Sequence, residues 1–583
     1  MRPIFFDGRF GWLHEPAPGS GPEPGPALGV VLCAAFAQEE ICTHHGLMLL
    51  ADRLAAAGMP TLRFDYLGTG DSADIGTGVD VSLASLSDDV AHAVDALRQE
   101  CAVGAVALCG LRLGAAVAVQ AAARIADIAG VALLAPVIDG RTFLRETRAA
   151  AGVAPLAQLD PVPPIDAGLP LNTNGFRWSG ALQVEVAGIE LTRLPAPAPQ
   201  VMLATIRRDR RAPAYAAMLR EAGVAVAEQP FADYDAYMLD PTVHVTPHAT
   251  FAAVEAWLRD LPPGTARVAA SAPVTIEGTL AGDDFEELPQ RFGPDDRVFG
   301  MLCRPRSGTT APVAAMLLQE GSSHHIGNGR AYVALARRLA AAGIASLRMD
   351  LTGMGDSPAG GNDRSPYFDP ERYGEAVSGI DLLAAAGAPR VVAFGLCSGA
   401  HLAFQIGVAD PRVAGIYLIN LPKFVWDYGD DIRPFTRDSK RTLRAYLRSM
   451  RTLSAYRRVL RGEGDLTGIA RVLARRAVNG GIEAIRGLRA PPPGSDRAIV
   501  RDQMRRLSAR GVETLLFFTD DDVGLTDMTR HFGRGARRMK AHAPARMIVM
   551  PRADHHFNGT DVRRRYIDAV VASLTALGRS PRA

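Results

Sequence analysis

Residues 395–399 run Gly-Leu-Cys-Ser-Gly, a thiol with a glycine two positions away on each side. A thiolate attacks carbonyl carbon readily and is favoured beside a helix N-terminus. The flanking chain supplies that setting. The apolar run Arg390–Phe394 predicts a strand, and Ala400–Val408 predicts a helix. A strand–turn–helix of the form G-x-nucleophile-x-G is sharp and strained, so it needs small residues, and it lifts the nucleophile above the sheet. The Ser398 amide then faces the oxyanion that forms on the attacked carbonyl. The other cysteines, Cys33, Cys42, Cys101, Cys109 and Cys303, make no C-x-x-C pair. Neither a zinc ribbon nor a disulfide framework is indicated. Cys397 therefore points to covalent acyl chemistry that needs no metal or organic cofactor.

The elements that must position this thiol occur twice. Residues 58–72 run GMPTLRFDYLGTGDS and residues 343–357 run GIASLRMDLTGMGDS, with eight of fifteen positions identical at an offset of 285. The same offset carries Cys109–Ala115 onto Phe394–Ala400, and Leu133 onto Leu418. Two homologous domains follow, 1–264 and 265–583, with the boundary near Leu261-Pro262-Pro263-Gly264. In the second copy the predicted order is strand Val313–Leu318, helix Tyr332–Ala342, strand Ile344–Met349, helix Tyr373–Ala386, strand Arg390–Phe394, helix Ala400–Val408 and strand Val413–Ile419. Strands alternating with such helices imply an α/β fold, a mostly parallel sheet covered on both faces. Its ligands sit at the carboxyl ends of the strands. In the first copy the nucleophile position holds Arg112, which cannot attack a carbonyl. That copy is expected to be catalytically inactive, with a structural role or, more sharply, an anion bound by Arg112 at a helix N-terminus.

Composition narrows the class. The chain has 583 residues, 48% of them hydrophobic, and a net charge of only +2. Nucleic-acid binding driven by global charge is disfavoured. No run of 18 apolar residues occurs, so no transmembrane helix is expected. The N-terminus lacks an apolar signal core, and a cytoplasmic location is expected. Residues 423–510 form an insertion with 21 basic and 9 acidic residues. Helical patterns at Arg441–Val459 and Leu466–Val478 make it a basic cap. A cap of that sign attracts acyl-CoA, an acidic acyl carrier protein, an acidic glycan or a phospholipid surface.

Both halves resemble the α/β-hydrolase fold, particularly its serine-aminopeptidase S33-like branch, where L-R-x-D-x-x-G-x-G-D-S follows the fourth strand. The GLCSGA elbow of the second half resembles hydrolases with cysteine as nucleophile, as in dienelactone hydrolases and some thioesterases. The resemblance implies the chain order nucleophile, acid, histidine. It places the acid at Asp522, with Asp520 as fallback, after strand Thr514–Phe518, and the base at His555, after strand Met547–Met550. It also implies a second oxyanion amide from the loop 319–325, at Gly321 or Ser322, with His324 and His325 as candidates to line the substrate pocket. In the first copy, the only loosely placed counterparts are His244, His248 and Asp209.

The expectation is thus a tandem α/β hydrolase whose second copy cleaves an ester or thioester through Cys397, His555 and Asp522. An acyltransferase that passes the acyl group to an alcohol, sugar or carrier is the alternative. A non-catalytic scaffold for an anionic partner is the rival from another class.

Overall fold

The computed structural model describes residues 1–17, 27–76, 80–101, 103–153, 162–163, 168–262, 264, 269–308, 311–321, 323–358, 371–426, 491–520 and 522–579. The two expected cap helices and Ser322 lie outside the described residues. So do Asp521 and most of the basic insertion.

Each half is built on a nine-stranded sheet. In the N-terminal half the strands lie in the spatial order Ala225–Pro230, Gln200–Thr205, Ile128–Leu134, Val103–Leu111, Ala27–Cys33, Thr61–Phe64, Arg9–His14, Arg2–Phe6 and Ile276–Glu277. The first six are mutually parallel and the last three antiparallel. The edge strand Ile276–Glu277 lies beyond the expected boundary at 264, so the first sheet recruits residues from the start of the second copy. The C-terminal sheet runs Leu280–Ala281, Phe285–Phe292, Val298–Pro305, Ser346–Asp350, Val313–Leu318, Arg390–Leu396, Val413–Ile419, Glu513–Thr519 and Ala545–Met550. From Ser346–Asp350 onward its strands are parallel. Central strands such as Val313–Leu318 are buried at every position, as strands covered by helices on both faces must be. Registers also match between the copies: Gly110 lies opposite Leu133 and Gly395 opposite Leu418.

The repeated R-x-D-x-x-G-x-G-D-S segment has a physical explanation. In each copy the first aspartate folds the loop around itself. Asp65 accepts from the Asp71 amide at 2.9 Å, and Asp350 accepts from the Asp356 amide at 2.9 Å. Gly70 and Gly355 are required, because a Cβ at either would lie 1.9 or 2.2 Å from that carboxylate. The closing serines, Ser72 and Ser357, each donate to their aspartate's carbonyl at 2.7 Å. They also accept from the amides of Phe10 and Phe299.

The remaining two charged residues of the motif are exchanged between copies. Arg63 of the first pairs with Asp356 of the second at 2.6 Å, and Arg348 of the second pairs with Asp71 of the first. Phe10 and Phe299 stack on each other with ring centroids 6.4 Å apart. The two halves are therefore joined by a pseudo-twofold, self-complementary interface of the kind expected of a symmetric dimer. His325 adds a bridge within it, with Nε2 2.5 Å from Asp71 and Nδ1 2.7 Å from Asp350.

Candidate functional site

Cys397 stands at φ 55°, ψ −115°, between strand Arg390–Leu396 and helix Ser398–Ala409. That conformation is costly for a residue with a side chain and persists only where its surroundings over-determine it. The surroundings here are two backbone approaches. A Cβ on Gly395 would lie 2.2 Å from Gly399, and a Cβ on Gly399 would lie 2.4 Å from the carbonyl oxygens of Leu318 and Gln319. The Cys397 amide donates to the Ile419 carbonyl at 2.9 Å, fastening the turn to the next strand. Four of the six cysteines are buried, whereas Cys397 and Cys101 are half-buried.

The acid and base come together at the carboxyl ends of the last two strands. His555 Nδ1 lies 2.6 Å from Asp522 Oδ2. The other Asp522 oxygen accepts from the Gly524 amide at 2.8 Å, so both oxygens are occupied and the carboxylate is fixed in place. The structure thus brings Asp522, not the fallback Asp520, to the histidine. His555 Nε2 is buried and has no hydrogen-bond partner among the described residues. That nitrogen is the one left to take a proton.

Several supporting residues were not apparent from the sequence. Asn420, just past strand Val413–Ile419, donates to the His555 carbonyl at 2.7 Å and accepts from the Thr519 amide at 2.9 Å. It ties the acid loop to the base loop. Glu320 faces His556 at 3.2 Å, and ligating atoms of Glu320, His555 and His556 all lie within 4.8 Å of one another. The loop after strand Val313–Leu318 therefore reaches the base. A polar residue directly after each buried strand was the only signal for these.

Three expected binding roles are corrected. The Gly321 amide, expected to face an oxyanion, donates instead to Ser398 Oγ at 2.8 Å. His325 is fully buried between Asp71 and Asp350. Burial alone would disfavour its charged form, but the two carboxylates hold its pKa well above the ordinary value. His324 is buried against His44, ring on ring at 3.9 Å. Both histidines are taken up at the junction of the halves, His325 by Asp71 of the first half and Asp350 of its own, and His324 by His44 of the first. Arg112 likewise has an internal partner: its Nε donates to Glu39 at 2.9 Å, and the guanidinium lies over the rings of Phe143 and Tyr234. The structural reading of the first copy prevails over the anion site. Its elbow is nonetheless kept, at φ 54°, ψ −118°. His244 bonds the Cys42 carbonyl at 3.1 Å. A cavity of about 700 Å³ between the halves is lined by Phe36, Phe176, Ile326, Arg330 and Arg337 among others, and not by Cys397.

Residues 41–159 match the family model of serine aminopeptidase, S33, and residues 321–569 match that of the alpha/beta hydrolase family. The chain is an α/β-hydrolase enzyme with two such domains in tandem. Within that class, the C-terminal half is the copy that carries a cysteine-bearing elbow together with a paired aspartate and histidine. No curated protein matches the chain. Among solved structures it is similar to a soluble variant of monoglyceride lipase from Saccharomyces cerevisiae, bound to a substrate analog. The identity is 16% and the TM-score 0.33, covering 44% of this chain and 94% of that one. Est1E from Butyrivibrio proteoclasticus gives 16% identity and a TM-score of 0.32, covering 44% and 98%. Proline iminopeptidase from Mycobacterium smegmatis gives 16% and 0.30, covering 44% and 97%. Among the described residues, no helix is long and apolar enough to cross a membrane.

Proposed function

We propose that the C-terminal domain cleaves an ester or thioester through a covalent acyl-enzyme on Cys397. The observation that carries this is the Asp522–His555 pair, at 2.6 Å, in the same domain as a strained cysteine elbow. Asp522 holds the His555 Nδ1–H, so Nε2 is the basic nitrogen. Nε2 takes the thiol proton as Sγ attacks the carbonyl carbon, and the tetrahedral oxyanion forms. His555 then returns that proton to the leaving alcohol or thiol. Water, deprotonated by the same nitrogen, next attacks the acyl-thioester and releases a carboxylic acid and the free thiol. The Ser398 amide, first in its helix and without an intrahelical acceptor, supplies one oxyanion donor. Such a donor contributes about 3–4 kcal/mol in comparable sites.

The basic excess of residues 423–510 supports an anionic acyl donor, such as acyl-CoA, an acyl carrier protein or an acidic glycan ester. The test is incubation of the whole chain with p-nitrophenyl esters and acyl-CoAs, followed by intact-mass measurement. An adduct of acyl mass on Cys397, absent from Cys397→Ala and accumulating in His555→Ala only with activated esters, is expected. Turnover that survives Cys397→Ala would overturn the reading. Product from an added alcohol or sugar in excess of free acid would assign acyl transfer in place of hydrolysis.

A further inference from the structure

Glu320, His555 and His556 converge from two loops of the C-terminal half. Glu320 is the second residue after strand Val313–Leu318, and the two histidines follow strand Ala545–Met550. Ligating atoms of the three all lie within 4.8 Å of one another, and His556 Nε2 is 3.2 Å from Glu320 Oε2. Two ligands on one tetrahedral zinc ion lie about 3.4 Å apart.

Three further observations fit a metal ion here. His555 Nε2 is buried and has no hydrogen-bond partner among the described residues. With the ring proton held on Nδ1 by Asp522 at 2.6 Å, the orphan is a lone pair, and burying it unsatisfied is costly. Second, a carboxylate behind an imidazole, fixing its ring and tautomer, is the usual arrangement behind a metal-ligating histidine. Asp522 is itself fixed by the Gly524 amide at 2.8 Å. Third, two imidazoles on one tetrahedral ion have ring centroids about 5 Å apart. The His555 and His556 rings lie 5.0 Å apart and 81° to each other, so they are not stacked. The other two groups of this composition fail on the same grounds. His44 and His324 stack face to face, 4° from parallel, and both nitrogens of His325 are taken by Asp71 and Asp350.

We propose that Glu320, His555 and His556 bind a divalent cation of the zinc class, and that the ion silences the acyl chemistry by occupying His555 Nε2. Two imidazoles and one carboxylate, with water in the fourth position, are a zinc ligand set. The proton between His556 Nε2 and Glu320 leaves to solvent as the ion enters. The ion takes the electron pair with which Nε2 accepts the thiol proton, so the loaded and the working states exclude each other. The silencing rests on the reading of His555 as the base for Cys397, whereas the binding does not.

The test uses the full chain without a histidine tag, stripped by chelator and then equilibrated with Zn²⁺ or Co²⁺. One equivalent retained by elemental analysis, with Co²⁺ bands of tetrahedral intensity, is expected. His556→Ala and Glu320→Gln should each lower affinity by more than about tenfold. Circular dichroism checks folding, and Glu320→Gln preserves shape if His556→Ala does not fold. Cys397→Ala should retain the ion. Absence of a retained equivalent would overturn the site, and loss of the ion in Cys397→Ala but not in His556→Ala would move it to the thiol and overturn this ligand set. Silencing is read separately, as acyl adduct formed from a p-nitrophenyl ester. Zn²⁺ should suppress the adduct in the parent chain and not in His556→Ala. Equal adduct in stripped and loaded parent chain would overturn the silencing. A chain that retains zinc but forms no adduct when stripped would refute the acyl-enzyme reading and leave the metal site standing.

Discussion

Replacing Asp71 by asparagine tests whether the duplicated motif joins the two halves. The Asp71 carboxylate is 1% exposed and faces Arg348 and His325 of the other half, with His325 Nε2 at 2.5 Å. Burial alone would raise its pKa, but those two cations hold it well below the usual carboxylate range. Asparagine keeps the shape and removes the charge. Arg348 then retains only Glu287, and His325 only Asp350, so one positive charge is left uncompensated in the interior. Removing one partner of a buried pair costs about 3–5 kcal/mol. Asp356→Asn should cost a similar amount, because Asp356 plays the mirror role towards Arg63 and His44. The exposed pair Arg564–Asp561, 70% and 82% accessible, is the control, and Asp561→Asn should cost no more than about 0.5 kcal/mol. Urea unfolding of the full chain, followed by Trp12 fluorescence at the interface, provides the measurement. If Asp71→Asn and Asp356→Asn both stayed below about 1 kcal/mol, the crossed pairs would not be what holds the halves together.

Three further outcomes follow from the same contacts. Gly399→Ala should destabilise by about 3 kcal/mol or more, since its Cβ would lie 2.4 Å from two carbonyl oxygens. Melting temperatures of Gly399→Ala and of Gly114→Ala, its counterpart in the first copy, check this. Arg112→Met leaves the half-buried Glu39 without its cation and should cost about 1–3 kcal/mol, largely recovered in the Arg112→Met, Glu39→Gln double variant. Burial lowers His14 and His401 to about 4 and His324 to about 3, and raises Asp65 to about 7. Between pH 6.5 and 4 the unfolded chain binds more protons at the three histidines, whereas the folded chain binds more at Asp65. The net from these groups is two protons, so stability should fall by about 2.7 kcal/mol per pH unit of acidification there. Urea midpoints across that window should show the slope, and His401→Leu should cut it to about half.

The candidate site of the second copy was legible because its signals are local. Cys397 follows its buried strand directly, and Asp522 and His555 lie three and five residues past the ends of theirs, so spacing within a few residues suffices. Helix boundaries moved little: the helix expected from Ala400 starts two residues earlier at Ser398, because Cys397 itself is its N-cap. What was not legible depends on the other copy. His324 and His325 were read as pocket residues because nothing near them in sequence supplies Asp71, which is 254 residues away. The repeated Arg and Asp marked the duplication, but their exchange across the interface requires knowing that the copies face each other. The Gly321 amide was misread for a smaller reason: the Ser398 hydroxyl, one residue after the nucleophile, is close enough to capture it.

The geometry also gives the first copy, whose elbow holds Arg112, a place against the second. Its short hairpin, Leu171–Thr173 with Phe176–Trp178, reaches the second half beside the base. Asn172 donates to the Asn558 carbonyl at 3.0 Å, and the Gly175 carbonyl accepts from Arg563 at 3.1 Å. Asn558 is in turn bound to Asp554, directly before His555, through both its amide and its side chain. Asn328 of the second half bonds the same Asn558 side chain at 3.0 Å. The loop that carries His555 is therefore held from one side by Asn420 and from the other by the first domain. Loops at active sites are drawn from the less stable parts of a fold, and a 1 Å displacement of a base is enough to cost about a hundredfold in rate. A partner domain that pins this loop has a function without any chemistry of its own. Arg112 suits that role, since a cation paired with Glu39 and packed on two aromatic rings stabilises the elbow of the first copy.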